Sequence, residues 1–578
     1  MPYGVTRCLQ GGIFSRGEPV INRKSRQQQR TIFLLLLSTL FFIFLGGRLG
    51  YLQLLRNNKL AVEAVRQRAQ TVLLDYRRGE ILDRHGISLL DGAEEKLLVI
   101  FPALLKDDDT EVAAMISHHF PQAAAAGNPF VALRNVDAQE EITFKNLQTP
   151  GLLVVPSWKR YGCRALATHV AGHTGPYDGE GKVGLELTFN SELKNSPAVL
   201  AAIVDNNHNL VEGLGYRLWE NSNAPGKPLD LVLTIDHRIQ KKVEEIMDAR
   251  LVKGAVVVME PRSGEILAMA SRPNYLQVDL SRYLNNTEQQ KDFLSSKPFI
   301  NRSVLSYPPG SIFKIVVAAA ALDTGKARLN QSFDCPGYIR VGEQVFHCQH
   351  GPHGKITLAE AFAHSCNAAF IELALDLGKE TICQYAEALG LGRETGIPLG
   401  SAAQGGEVKG CIPQPEEMPF LGDLALTALG QGRVEATPLQ VARLTAAVAN
   451  GGYLVEPRLV KAVQNRQGLV FTKFSTVTPR QVLKALTVNK LRYMMLGVVE
   501  YGTGKAAGSS TLILGGKTGT AETKRIVKGR PELYSWFTGC LPLEDCQAVV
   551  TVFIEEPLQG NAAETFKEIA QGIAAFLH

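Results

Sequence analysis

The sequence predicts an α+β protein tethered by one N-terminal membrane helix, with a mixed module ahead of a larger domain whose sheet joins both of its ends. Three observations predict it. An uncharged apolar run, Thr31–Gly47, follows a basic tail. Strand-like segments near 229–270 and 511–555 bracket a long block of helical periodicity. The 578 residues are 45% hydrophobic and 20% charged, which excludes bulk disorder and leaves room for roughly two to four domains.

The tail comes first. Residues 1–30 hold Arg7, Arg16, Arg23, Lys24, Arg26 and Arg30 against Glu18 alone. They carry the whole net charge of +5, so the remaining chain is neutral and has no nucleic-acid footprint. The next segment, Thr31–Leu55, is interrupted only by Arg48 and is long enough for a bilayer, which needs about 20 apolar residues. Arg48 lies near the far end, where its head can reach the lipid headgroups. No Ala-x-Ala cleavage site ends the run, so it reads as an anchor rather than a signal peptide. Arg23–Arg30 stays in the cytoplasm by the positive-inside rule, and residues 56–578 lie outside.

Nine cysteines are too sparse for a disulfide scaffold. An outside body nevertheless permits disulfides, and Cys335/Cys348 and Cys540/Cys546 each flank a hairpin-like segment. Both pairings stay open. Cys366 and Cys383 read as buried apolar residues. His347, Cys348, His350 and His353, with Cys335 upstream, are weighed as a zinc site against ordinary loop residues. Their spacing fits no closed tetrahedral template, so loop residues are expected and no metal.

Residues 56–75 are polar and heptad-like, a continuation of the membrane helix. Arg78–Gly86 reads as a strand and turn. Residues 105–145 mix helical patterns with loops, and 150–215 alternate short strands with glycine turns. Asn221–Lys227 is a turn-rich linker. Beyond it, Leu229–Ile235 alternates as a strand and Asp236–Ala249 has helical spacing. Ala255–Met259 and Ile266–Ala270 form a hairpin around Pro261–Gly264. Helices are expected at 311–323, 357–378, 438–450 and 479–500, strands at 511–523, 533–541 and 547–555, and a last helix at 561–577.

Three motifs fit one chemistry. In Tyr307-Pro-Pro-Gly-Ser-Ile-Phe-Lys314 the prolines and glycine stop any earlier helix, and an apolar, Ala-rich helix starts near Ser311. Ser311 and Lys314 share a helical face, the hydroxyl at the positive end of the dipole. A lysine in apolar surroundings loses affinity for its proton and can serve as base to the serine. The same spacing at Ser191–Lys194 lacks the apolar helix and reads as a helix cap with an exposed lysine. Ser365-Cys-Asn367 places a hydroxyl and an amide where both can face a cleft. Gly515-Gly-Lys-Thr-Gly-Thr520 fails the phosphate-loop pattern, since Thr511 stands where its first glycine belongs. It reads as a strand whose Lys517 and Thr518 bind a carboxylate while Gly519 admits a ligand close to the backbone.

A membrane-tethered outer domain with Ser-x-x-Lys, Ser-x-Asn and Lys-Thr-Gly in this order resembles the penicillin-binding proteins. Arg78–Gly86, with His85 where Asn is usual, resembles the class B signature. Arg160-Tyr161, Gly184-Leu-Glu186, Leu233–Asp236, Ala268–Asn274, Asn301-Arg302, Gly430-Gln-Gly432, Thr437–Gln440 and Trp536-Phe537 resemble further family segments. Gly162 departs from a common proline. No span before residue 225 resembles the glycosyltransferase of the bifunctional class A proteins.

The resemblance implies a monofunctional peptidoglycan D,D-transpeptidase of serine type, with a cytoplasmic tail (1–30), an anchor (31–55), an elongated pedestal or dimerisation-type module (56–225) and a transpeptidase domain (226–578) whose antiparallel sheet is flanked by helices. It implies Ser311 as nucleophile, Lys314 as base, and Ser365, Asn367 and Lys517 as catalytic partners. Thr518, Gly519 and Thr520 would bind substrate. It implies D-Ala-D-Ala stem peptides as substrate, β-lactams as covalent inhibitors, a SEDS-type membrane glycosyltransferase and other cell-wall assembly proteins as partners, and no cofactor or metal. Rival readings with the same serine are a β-lactamase or D,D-carboxypeptidase, and a silent penicillin-binding scaffold or sensor.

Overall fold

The computed structural model describes residues 21–56, 60, 63, 65, 67–105, 128–147, 149–175, 178–207, 209–211, 213–220, 228–250, 252–280, 283, 291, 294–527, 530–555 and 561–577. Most of the basic tail and the expected linker Asn221–Lys227 lie outside them. The first helix, α1 (Ile21–Gly50), passes into a single π-helical turn, Tyr51–Leu55. Gln27–Leu54 is long and apolar enough to cross a membrane, and none of it is buried in protein. Among the described residues it is the one helix of this kind. At about 1.5 Å per residue its 28 residues exceed the roughly 30 Å of a hydrocarbon core. The heptad-like stretch after it does not stay helical throughout. Ala69–Arg78 is already a strand, because its side chains alternate between exposed and buried.

Contacts divide the chain into two units. One holds residues 1–72, 101–129 and 200–218, and the other 73–100, 130–199 and 219–578. In the first, the Phe101 and Tyr216 rings pack with centroids 5.6 Å apart. The second unit interleaves segments from both sides of residue 225. Ile81–Leu82 pairs in parallel with Asp230–Leu233, which pairs antiparallel with Val460–Gln464.

Within that unit the early motifs converge on one carboxylate. Glu186, fully buried, takes Arg78 Nε at 2.9 Å and Arg160 Nε at 2.6 Å. The Tyr161 hydroxyl donates to it at 2.8 Å and accepts the Thr174 N–H at 3.1 Å. A carboxylate taken out of water needs such a set of donors.

The main sheet has five antiparallel strands: β1 (Lys253–Met259), β2 (Ile266–Arg272), β3 (Gly515–Val527), β4 (Arg530–Leu541) and β5 (Ala548–Glu555), in the spatial order β2-β1-β5-β4-β3. It joins the two ends of the domain, as the sequence predicts. β1 is apolar without alternation because both faces are covered. Val256 and Val258 pack with α2 (His237–Ala249), while Val257 and Met259 pack on the opposite side with Leu439 and Ala442.

The helical block contains α3 (Lys314–Asp323), α4 (Leu358–Ala363), α5 (Asn367–Leu377), α6 (Pro438–Ala449), α7 (Ala485–Glu500) and, after the sheet, α8 (Ala562–Ile573). α3 is buried from Lys314 to Leu322, and from Ile315 to Leu322 it is apolar all round. The helix expected at 357–378 is two helices, broken at His364–Cys366 where Ser365 takes φ +54°. The helix expected from 479 starts at Ala485, because Arg480–Gln481 pairs with Tyr453–Leu454. Every described cysteine is a free thiol, so neither of the two pairings left open by the sequence, Cys335/Cys348 and Cys540/Cys546, is bonded.

Glu186→Ala leaves two arginines without their carboxylate. It should destabilise the fold by about 3–5 kcal/mol, read as a lower denaturation midpoint, whereas an unchanged midpoint would show the network to be dispensable.

Candidate active site

The chain approaches α3 through Tyr307–Pro309, pinned from two sides. Tyr307 exchanges backbone hydrogen bonds with Ala436, and the Trp536 indole donates to the Pro308 carbonyl at 3.1 Å. Gly310 then takes φ +56°, a left-handed value that glycine adopts without strain. Its N–H bonds the Gly430 carbonyl at 3.0 Å. A Cβ here would lie 2.4 Å from the Thr520 carbonyl oxygen, so the turn presses directly on strand β3. Gly310–Phe313 is one 3₁₀ turn leading into α3. Ser311 is half-buried on this turn, and no described residue hydrogen-bonds its hydroxyl.

Lys314 has no exposed surface. Its Nζ donates to the Ser365 carbonyl at 2.7 Å, the Ser365 hydroxyl at 3.1 Å and Asn367 Oδ1 at 2.7 Å. The left-handed turn at Ser365 aims carbonyl and hydroxyl at the same nitrogen. Asn367 is held from behind, its Nδ2 donating to the His347 carbonyl at 2.7 Å. Burial lowers the Lys314 pKa to about 7, partly offset by the nearby Cys366 and Cys348 sulfurs.

Lys517 comes from β3 and is equally buried. Its Nζ donates to the Ser365 hydroxyl at 3.2 Å and the Thr518 carbonyl at 3.0 Å. Burial, with the Lys314 charge behind it, depresses its pKa well below the ordinary lysine value. The Thr518 and Thr503 hydroxyls are 2.6 Å apart. Gly519 is packed so closely that a Cβ would meet the Pro309 carbonyl oxygen at 2.7 Å.

The structure therefore joins Lys314, Ser365, Asn367 and Lys517 in one hydrogen-bonded group, with Ser311 at the mouth of the helix above Lys314 and Thr518–Thr520 on the neighbouring strand. The lysines are buried and the hydroxyl-bearing residues half-buried, so the polar face opens to solvent. The second Ser-x-x-Lys is a decoy: Ser191 bonds Glu192, and the exposed Lys194 pairs with Glu180. The carbonyls of Gly430 and His347, and the Thr503 hydroxyl, went unassigned from sequence because backbone acceptors and lone threonines leave no pattern. Cys366 is more than an apolar filler, since its sulfur faces that of Cys348.

The family model of the penicillin binding protein transpeptidase domain matches residues 254–571, from β1 into α8. The chain belongs to this family. Stage V sporulation protein D of Bacillus subtilis is 29% identical, over 92% of this chain and 82% of the relative. The peptidoglycan D,D-transpeptidase MrdA of Acinetobacter baumannii is 26% identical, over 92% of this chain and 85% of the relative. A chain of a solved peptidoglycan synthase complex, described as coordinating polymerization and crosslinking, superposes with TM-score 0.69 at 26% identity, covering 94% of this chain and 98% of that one. Penicillin-Binding Protein 2 of Helicobacter pylori, solved with MreC, shares the fold at TM-score 0.67 and 24% identity, over 88% of this chain and 99% of that one. The protein is thus a class B penicillin-binding protein and a peptidoglycan D,D-transpeptidase, and the β-lactamase, carboxypeptidase and scaffold readings are not favoured.

Gly310→Ala tests the contact between the α3 turn and β3 of this transpeptidase. A shift of about 1 Å at a reacting centre costs on the order of 10² in rate. The variant should fold with all its motifs intact yet be acylated by fluorescent penicillin roughly that much more slowly; a wild-type rate would mean that the turn tolerates a side chain.

Proposed function

We propose that Ser311 attacks the penultimate D-alanine carbonyl of a stem peptide and carries the acyl group to an amine of a neighbouring strand. The observation that carries this reading is the meeting of two buried lysines at one hydroxyl, that of Ser365. With a pKa of about 7, Lys314 is largely neutral in mildly alkaline solution and can accept the Ser311 proton. Opposed strand residues either exchange both backbone hydrogen bonds or neither, so the Thr520 N–H points the same way as its carbonyl, toward Gly310. That N–H and the N–H of Ser311 would hold the oxyanion, where losing one donor typically costs about 10²–10³ in rate.

Lys517, Thr518 and Thr520 would grip the terminal carboxylate, with Gly519 letting their strand close on the α3 turn at Pro309. A carboxylate there favours the protonated form of Lys517 and offsets its burial. Ser365, in contact with both lysines, would pass the proton from Lys314 to the departing D-alanine amine. Asn367 would orient Lys314. The acceptor amine then attacks the ester, closing the cross-link and freeing Ser311. β-Lactams would acylate the same serine.

The basic tail (1–30) would remain cytoplasmic, the anchor (31–55) would cross the cell membrane once, and the pedestal (56–225) and transpeptidase domain (226–578) would work outside it. The likeness to a synthase-complex chain supports a cell-wall assembly partner, which we take to be a SEDS-type membrane glycosyltransferase.

Ser311→Ala should abolish covalent labelling of membranes by fluorescent penicillin, while Ser365→Ala should slow acylation by about 10²–10⁴. The lowered Lys314 pKa gives the sign of the pH dependence. Protonation removes the base, so the wild-type acylation rate should fall as pH drops through about 7. A labelled Ser311→Ala protein, or a flat profile between about pH 5 and pH 9, would reject the assignment. Rapid release of hydrolysed lactam would favour a β-lactamase.

A further inference from the structure

Away from the two buried lysines, a cavity of about 350 Å³ is walled by segments from both sides of residue 225, all of them in the second unit. Its volume lies within the roughly 300–1,000 Å³ usual for small-molecule sites. The strand Ala69–Arg78 brings Leu74 and Asp75, and the strand Leu152–Lys159 brings Trp158. Arg160 follows that strand, and the short turn Gln277–Asp279 brings Gln277, with Leu280 next to it.

Three of these lining residues hold a buried polar atom that no described residue pairs: Asp75 Oδ1, Arg160 Nη2 and Gln277 Oε1. The rest of each group is anchored. Asp75 Oδ2 accepts the Ser157 hydroxyl at 3.2 Å and the Trp158 N–H at 3.3 Å. Arg160 donates from Nε to Glu186 at 2.6 Å and from Nη1 to the Gly79 carbonyl at 3.0 Å. Gln277 is 4% exposed, and its Nε2 donates to the Gly172 carbonyl at 2.5 Å. Each of the three is thus fixed from behind and keeps one polar atom unpaired at the cavity. Buried polar atoms are nearly always paired in folded proteins, so three in one wall point to a ligand that pairs them.

Two of the unpaired atoms accept and one donates, so the ligand must do both. The charges around them are already matched. Arg78 and Arg160 pair with Glu186, and Arg134 pairs with Glu95 at 2.7 Å. A neutral ligand therefore suits the wall better than an ionic one. Trp158 is 39% exposed in the same wall, and the negative face of its ring attracts the polarised C–H groups of a sugar ring. An acetamido group carries a carbonyl for Arg160, an N–H for Gln277 and a methyl for Leu74 and Leu280, and a neighbouring hydroxyl can donate to Asp75. The polymer that a peptidoglycan transpeptidase cross-links is built of such N-acetylated amino sugars. We propose that this cavity binds one N-acetylated amino sugar of the glycan strand, without covalent chemistry, and holds the strand while its stem peptides reach the active site. Sugar binding of this kind depends on the substrate polymer of the family and not on the role of Ser311.

Full-length protein in detergent, titrated calorimetrically with triacetylchitotriose, should bind one trisaccharide per chain, with or without penicillin present. Cellotriose, which has hydroxyls in place of the acetamido groups, should bind about tenfold more weakly, the effect of one hydrogen bond to a charged group. Asp75→Asn keeps an acceptor for Ser157 and the Trp158 N–H but turns the unpaired oxygen into a donor, and should weaken binding about tenfold. Trp158→Ala, which removes the ring, should weaken it about as much. Both variants should raise KM for the cross-linking of glycan strands without lowering kcat, while fluorescent penicillin, which brings no sugar, labels them at the wild-type rate. A wild-type crystal soaked with the trisaccharide should show it against Trp158, a readout that holds even if a variant fails to fold. Ordered water alone in that crystal, no heat of binding, or equal binding of cellotriose would overturn the site. Variants that lose the sugar and keep the wild-type KM would overturn its part in holding the strand. A Ser311 that takes no label would leave the sugar titration as it is, so the two readings fail separately.

Discussion

A lysine amine with no access to water has to find its partners inside the protein, and Lys314 finds three in a stretch of three residues. Much of the centre follows from that. The carbonyl and hydroxyl of Ser365 reach one nitrogen only because the residue adopts a left-handed backbone. Such a conformation costs a non-glycine residue on the order of 1–3 kcal/mol and persists where its surroundings demand it. The interruption between α4 and α5 is the visible result. The fully apolar α3 keeps water from the amine, and dehydration holds it near neutrality.

The sheet supplies what the helices cannot. β3 is an edge strand, and on its open side the Thr520 carbonyl faces Gly310 of the α3 turn. Gly310 and Gly519 remove the side chains that would separate these elements, and the Trp536 indole fastens Pro308 from the adjacent strand. A strand edge, which many proteins must shield, is here covered by the turn that carries Ser311.

Much of this was legible in the sequence, for identifiable reasons. The prolines and glycine before Ser311 could only precede a helix, and the apolar run behind it could only be buried, so the local state of Lys314 was readable. The strands Ala255–Met259 and Ile266–Ala270 announced themselves through β-branched residues around a turn. Long-range facts were not readable. The break at His364–Cys366 has no proline or glycine to mark it and is imposed by an amine fifty residues earlier in the chain. The strand at Ala69–Arg78 carries a charged, helix-compatible pattern that its partner strands override. The pairing of Ile81–Leu82 with Asp230–Leu233 is a tertiary event, which is why a boundary drawn by composition near residue 225 runs through shared structure.

The order of strands has a consequence for biogenesis. β1 and β2 leave the ribosome early, but the neighbour of β1 on its open side is β5, almost the last segment made, and Lys517 rides on a strand joined to β5 only through β4. The serine-bearing turn is therefore synthesised some two hundred residues before the surface that completes it. Until the final hairpin docks, the nascent chain holds a half-built pocket with an unshielded sheet margin, and reactivity arrives together with the closing of the domain.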